Sequence, residues 1–199
     1  SILGDLLAGL SFYWKTPAVF TMITIGFAMG LFGMPYVQIL PAFAKDVLGA
    51  GAGEAGLLIT GAGVGSLVGT VILASLGDSP HKNRVLLISI FGFGVSLLVF
   101  AWTQWFWVTW LALLFVGMGT SMIPMITTIL HLTVPTEFQG RVVSLLYLSA
   151  GLMFVGALPM AMVADAVNWP IAITGGAVLY LLIAFWLGLW RPALRRLKV

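Results

Sequence analysis

Long stretches of this chain carry no Asp, Glu, Lys or Arg, and nothing else in it limits the possible folds so strongly. The uncharged runs lie between Lys15 and Lys45, between Glu54 and Asp78, from Val85 to Thr136, between Arg141 and Asp165, and between Asp165 and Arg191. A bilayer core takes about 20 apolar residues per helical span, so the Val85 to Thr136 run holds two spans joined by a turn. Six spans result. With 61% hydrophobic residues and only 8% charged, against about 25% charged in a soluble domain, no aqueous core could hide this apolar surface. The expected fold is all-α: a polytopic membrane protein whose six transmembrane helices make one bundle.

The expected spans cover about 17–40, 54–77, 85–101, 106–130, 141–164 and 170–190, within a membrane bundle reaching 191. Ahead of them, Leu3, Leu6, Leu7, Leu10 and Trp14 recur at helical spacing among polar and small residues. That pattern predicts an amphipathic interfacial linker helix over 1–16. Residues 192–199 form a basic tail. Trp102, Trp105, Trp107, Trp110 and Trp169 fall at one predicted surface and Trp14, Trp186 and Trp190 near the other, the distribution of interfacial anchors. The net charge of +3 is also one-sided: Lys15, Lys82, Arg84, Arg141 and the tail share a side, and the opposite side has only Lys45. The positive-inside rule then puts both termini in the cytoplasm of a cell whose inner membrane holds the chain. This placement speaks for a lipid bilayer as partner and against nucleic acid. Cysteine is absent, which removes disulfides, thiolate metal sites and thiol nucleophiles. The chain starts at Ser1 without a signal-peptide pattern and reads as a segment of a longer protein.

Two loops on the basic side carry motifs. Leu76 to Arg84 reads L-G-D-S-P-H-K-N-R, similar to a degenerate G-x-x-x-D-R-x-G-R-R loop: Asp78 and Lys82 match, while Ala74, Ser79, His81 and Asn83 depart from it. Val134 to Val142 reads V-P-T-E-F-Q-G-R-V, similar to V-P-x-E-x-x-G-R-V. In this order, with six spans and a basic tail, they resemble the C-terminal half of a major facilitator superfamily transporter, in the branch of enterobactin exporters and macrolide efflux proteins. Asp5 to Lys15 is also similar to that branch's interhalf linker. The resemblance covers essentially the whole chain. It implies an N-terminal six-helix half as partner, a small-molecule substrate, and gating by Asp78, Lys82, Arg84, Glu137 and Arg141 through contacts that close an inner gate in one state and break in another. The same charges also suit topology and helix capping, and Glu137 and Arg141 stand at i,i+4, where a local pair can form.

In transporters built from inverted repeats, Gly- and Pro-broken spans in corresponding positions point to the substrate site. Gly30, Gly33 and Pro35 break the first span, and Gly117, Gly119 and Pro124 the fourth. The cavity candidates are therefore Tyr36 and Gln38 from the first, Met118, Thr120, Ser121, Met122 and Met125 from the fourth, and Tyr147 and Phe154 from the fifth. Packing is the alternative role for the methionines, and a place at the outer interface for Gln38. Gly61, Gly65 and Gly69 make a small-residue ridge for close helix approach. No carboxylate lies deep in a span, so if protons are coupled to transport their site belongs on the other half. His131 reads as an interfacial helix-end imidazole.

Enzymatic chemistry finds little support. An intramembrane serine protease needs a Ser and a base together, whereas Ser121 and His131 lie about three turns apart on one helix. No H-E-x-x-H metal motif and no cofactor motif occurs, and no charged filter suggests a channel. The expected function is efflux of drug-like or siderophore-like amphipathic molecules by alternating access. A self-contained six-span homodimer is the alternative.

Overall fold

The computed structural model describes residues 13–14, 16–75 and 82–190, the side chains of 82, 83, 189 and 190 excepted. Most of the expected linker helix, Asp78 and the basic tail lie outside the described residues. Within them every regular element is helical, and six helices or helix pairs are long and apolar enough to cross a membrane.

Span 1 joins two α-helices, Pro17–Ala28 and Tyr36–Leu48, through a π-helical turn at Met29–Gly33. Pro17 stands in the first turn, where its missing N–H costs nothing. At the break, the Met34 N–H donates to the Met29 carbonyl at 2.7 Å, and Pro35 then has no N–H with which to continue the ladder. The second helix absorbs Pro41 and runs past Leu40 to Leu48, ending where Gly49 takes a left-handed φ of 64°. Span 2 is Ala52–Ser75, its start tied by the Gly51 N–H donating to Glu54 Oε2 at 2.7 Å. Span 3 is Lys82–Ala101.

Span 4 is again two helices, Phe106–Thr120 and Met122–Thr133. Its break is tight rather than loose, with the Ser121 N–H reaching back only three residues to the Met118 carbonyl at 3.2 Å. Span 5 is the continuous helix Thr136–Ala166, and span 6 is Trp169–Trp190. Asn168 Oδ1 accepts the Ile171 N–H at 2.9 Å, capping the start of span 6.

Spans 1 and 4 form the centre of the bundle. In their most apolar 18-residue stretches 61% and 56% of residues are buried, against 22% in spans 2 and 5. Glycine decides how the centre is packed. A Cβ on Gly30 would run into the Ser149 carbonyl and one on Gly156 into the Leu31 carbonyl, so spans 1 and 5 meet backbone to backbone. Spans 2 and 4 meet the same way, Gly117 against the Ala62 carbonyl and Gly65 against that of Leu114, with Gly69 facing Met118.

The two seams are copies of each other. Gly30 and Gly117, Leu31 and Met118, Ala62 and Ser149, and Gly69 and Gly156 all stand 87 residues apart (117 less 30, 118 less 31, 149 less 62, 156 less 69). One offset thus relates span 1 to span 4 and span 2 to span 5, as an inverted repeat requires. The relation reaches the middle of the molecule, where Phe93 and Tyr180, also 87 apart, stack edge to face with ring centroids separated by 5.3 Å. Tyr180 there donates to the Ile90 carbonyl at 3.1 Å, satisfying its hydroxyl inside an apolar core.

Candidate functional site

A cavity of about 160 Å³ opens where the interrupted spans 1 and 4 meet span 5. The π turn shapes one wall with Met29, Gly30 and Met34; Ile123 comes from span 4, and Leu146, Tyr147, Ser149 and Met153 from span 5. Its chemistry is soft and uncharged. Three thioethers line it, and the Ser149 hydroxyl donates to the Leu146 carbonyl. Tyr147 is 61% exposed, and its hydroxyl has no hydrogen-bond partner among the described residues. Gln38 stands beside this cavity, its Nε2 donating to Met153 Sδ at 3.9 Å. A methionine surface of this kind adapts to ligands of varied shape, while one phenol and one amide supply orienting hydrogen bonds.

The other candidates are distributed around the bundle. Tyr36 is buried and stacks edge-on against Phe100 at 6.1 Å. Met122 is fully buried with its Sδ 3.7 Å from the Tyr180 hydroxyl, and Met125 is buried with it in the core. Ser121 is also buried, its hydroxyl donating to the Met118 carbonyl at 2.7 Å. Thr120 bonds back to the Gly117 carbonyl at 2.7 Å, and Met118 faces a separate groove between spans 2, 3 and 4. Phe154 is exposed on span 5. The structure therefore brings Gln38 and Tyr147 to one cavity and places Tyr36, Ser121, Met122 and Met125 inside the packing. Met29, Met34, Ser149 and Met153 join the site without having been singled out. Gly30, already marked as a helix breaker, is the sequence signal closest to them.

At the basic end, Arg84 and Glu137 are exposed, and Arg141 lies half-buried with its guanidinium 5.8 Å from the Phe138 ring centroid. The loop between spans 4 and 5 is held by Gln139. Its Nε2 donates to the His131 and Val134 carbonyls at 2.7 and 3.0 Å, leaving Oε1 3.3 Å from His131 Nδ1. At the opposite end three indoles donate across helices: Trp169 to Asp46 Oδ2 at 2.9 Å, Trp102 to Thr174 at 3.1 Å and Trp110 to Thr60 at 3.3 Å. Among the described residues no cluster of His, Asp or Glu could hold a metal.

A family model described as transmembrane secretion effector, a branch of the major facilitator superfamily, matches residues 1–197. The chain belongs to the major facilitator superfamily. Its fold is similar to that of the fucose:proton symporter FucP of Escherichia coli, with a TM-score of 0.76 and 19% sequence identity over 92% of this chain. The match covers 45% of the symporter, so the chain spans about half the length of that transporter. No curated protein matches it. Family and fold are those of a multi-pass membrane transporter rather than of an enzyme.

Proposed function

We propose that this chain is one half of an efflux transporter, working with an N-terminal six-helix half by alternating access to move amphipathic, uncharged small molecules outward. The observation that carries this reading is the charge-free cavity of Met29, Met34, Met153 and Tyr147 at the meeting point of the two interrupted spans. Soft thioethers and one unpaired phenol suit a drug-like or siderophore-like substrate better than a sugar, which needs many converging hydrogen bonds. The family's description as a secretion effector supports the outward direction, and the two loop motifs support the enterobactin-exporter and macrolide-efflux branch. Arg84 and Arg141 at one end, against Lys45 at the other, support the cytoplasmic membrane with both termini inside. Asp78, Lys82, Arg84, Glu137 and Arg141 stay our candidates for the inner gate. Any proton coupling would use acids on the partner half, because the described spans hold none at depth.

The test is accumulation of fluorescent amphipathic compounds in cells with and without the full-length protein. Loss of the protein should raise accumulation. Tyr147→Phe and Gln38→Leu, each removing one hydrogen bond worth about 0.5–1.5 kcal/mol, should weaken apparent affinity about two- to tenfold. Unchanged accumulation across a panel of such compounds would sink the proposal.

A further inference from the structure

The 87-residue repeat creates two side grooves that should be equivalent, and they are not. One lies between spans 2, 3 and 4, has a volume of about 210 Å³, and is walled by Gly69, Ile72, Ser89, Gly92, Ser96 and Phe115. Its counterpart lies between spans 5, 6 and 1, holds about 380 Å³, and is walled by Gly156, Pro159, Gly176 and Leu179 at the positions corresponding to Gly69, Ile72, Ser89 and Gly92. The second groove is lined by apolar and small residues only. The first is lined by three serines: Ser121, whose hydroxyl donates to the Met118 carbonyl, and Ser89 and Ser96, one heptad apart on span 3.

Most hydroxyls within the spans are paired, and Ser66 on span 2 joins Ser89 and Ser96 as an exception. Hydroxyls on neighbouring spans, such as Thr60, Thr70, Thr120 and Thr128, donate to carbonyls of their own helix. Ser89 and Ser96 have no hydrogen-bond partner among the described residues. At Ser89, the one nearer the basic end, an unpaired hydroxyl is costly unless a ligand or lipid satisfies it. Arg84, exposed and without an ion-pair partner among the described residues, stands one turn before Ile88 on the same face of span 3. At about 1.5 Å per residue, Ser89 lies about 7 Å deeper than Arg84 and Ser96 about 18 Å deeper. Cation, first hydroxyl and apolar hollow thus follow the order of phosphate, ester and acyl chain in a glycerophospholipid. The repeat counterparts of Arg84, Ser89 and Ser96 are Ile171, Gly176 and Ile183, so the other groove lacks all three polar groups.

We propose that the groove between spans 2, 3 and 4 is a binding site for an anionic phospholipid of the surrounding bilayer, with its phosphate at Arg84, an ester oxygen at Ser89 and a chain running along Gly92 towards Ser96. The site shares no lining residue with the cavity assigned to substrate and does not depend on that assignment. Basic pockets between transmembrane helices attract anionic headgroups, each cation near the surface contributing enough for about a fivefold change in affinity.

The test is native mass spectrometry of the delipidated full-length protein, titrated with dioleoylphosphatidylglycerol or dioleoylphosphatidylcholine. The expected result is a retained phosphatidylglycerol bound at least about fivefold more tightly than phosphatidylcholine. Arg84→Gln should remove that preference. Gly92→Leu, placed where a Cβ meets nothing within 4 Å, should fill the hollow and weaken both lipids, whereas Gly175→Leu, equally unobstructed in the other groove, should leave binding unchanged. Arg84→Gln is exposed and does not disturb packing, so it reads the site even if a groove-filling variant fails to fold. Equal binding of the two lipids, or equal effects of Gly92→Leu and Gly175→Leu, would overturn the proposal.

Discussion

A methyl group has room at some glycines of this bundle and none at others. At Gly117 and Gly156 a new Cβ would meet the carbonyls of Ala62 and Leu31, backbone atoms that cannot rotate aside, so the helices themselves must separate. Gly117→Ala and Gly156→Ala should each cost about 1–3 kcal/mol, read as a lower melting temperature of the solubilised full-length protein. Gly63→Ala and Gly151→Ala meet nothing within 4 Å and should leave stability unchanged or raise it by about 0.5–1 kcal/mol through better helix propensity. If all four variants melted alike, the seams would not be the tight contacts described. The ridge of Gly61, Gly65 and Gly69 was legible in sequence because close helix approach demands small residues at fixed spacing. Side-chain direction was much less so. Tyr36, Met122 and Met125 face the core while Tyr147 faces the cavity, yet all sit on helices apolar on every side. In a bilayer both the lipid face and the core face are apolar, and the periodicity that separates inside from outside in water disappears.

At the scale of elements, five uncharged runs, one of them long enough for two spans, were enough to give six helices, since a spanning segment must satisfy its backbone internally. The character of the two breaks was not legible. Glycine and proline mark both, but span 1 unwinds into a π turn and span 4 tightens at Ser121, a difference set by what packs beside each. The loop between spans 4 and 5 shows how one side chain can define an element's end. Gln139 satisfies two carbonyls at the end of span 4 from the first turn of span 5. Gln139→Ala should remove both bonds, costing about 1–3 kcal/mol locally. Amide exchange at Val134 and Phe138 should then speed up by on the order of tenfold, with melting of the whole bundle little changed. Gln139→Glu keeps the size but offers no donor to the two carbonyls, so it should resemble the alanine variant. Exchange as slow as in the unaltered protein would show that the loop is held by other contacts.

At the scale of the molecule, exposure alone does not say what a residue faces. Tyr147 on span 5 and Val95 and Leu182 on spans 3 and 6 are all more than half exposed, and no hydropathy argument distinguishes their surroundings. The inverted repeat does. Val95 and Leu182 are counterparts 87 residues apart (182 less 95) on the two spans that meet at Phe93 and Tyr180, and neither span lines the cavity between spans 1, 4 and 5. If that cavity opens to water during an alternating-access cycle, a thiol at its edge ionises and reacts, whereas a thiol in hydrocarbon stays protonated and silent. The chain contains no cysteine of its own, so in a full-length background without other reactive thiols the signal belongs to the introduced residue. Tyr147→Cys and Gln38→Cys should react with a membrane-impermeant maleimide in open membranes, and a transported amphipathic compound should slow that reaction. Val95→Cys and Leu182→Cys should remain unlabelled until the membrane is dissolved. Labelling at Val95 as fast as at Tyr147 would mean that the water-accessible face lies elsewhere, and the cavity of Met29, Met34, Tyr147 and Met153 would lose its claim to the substrate path.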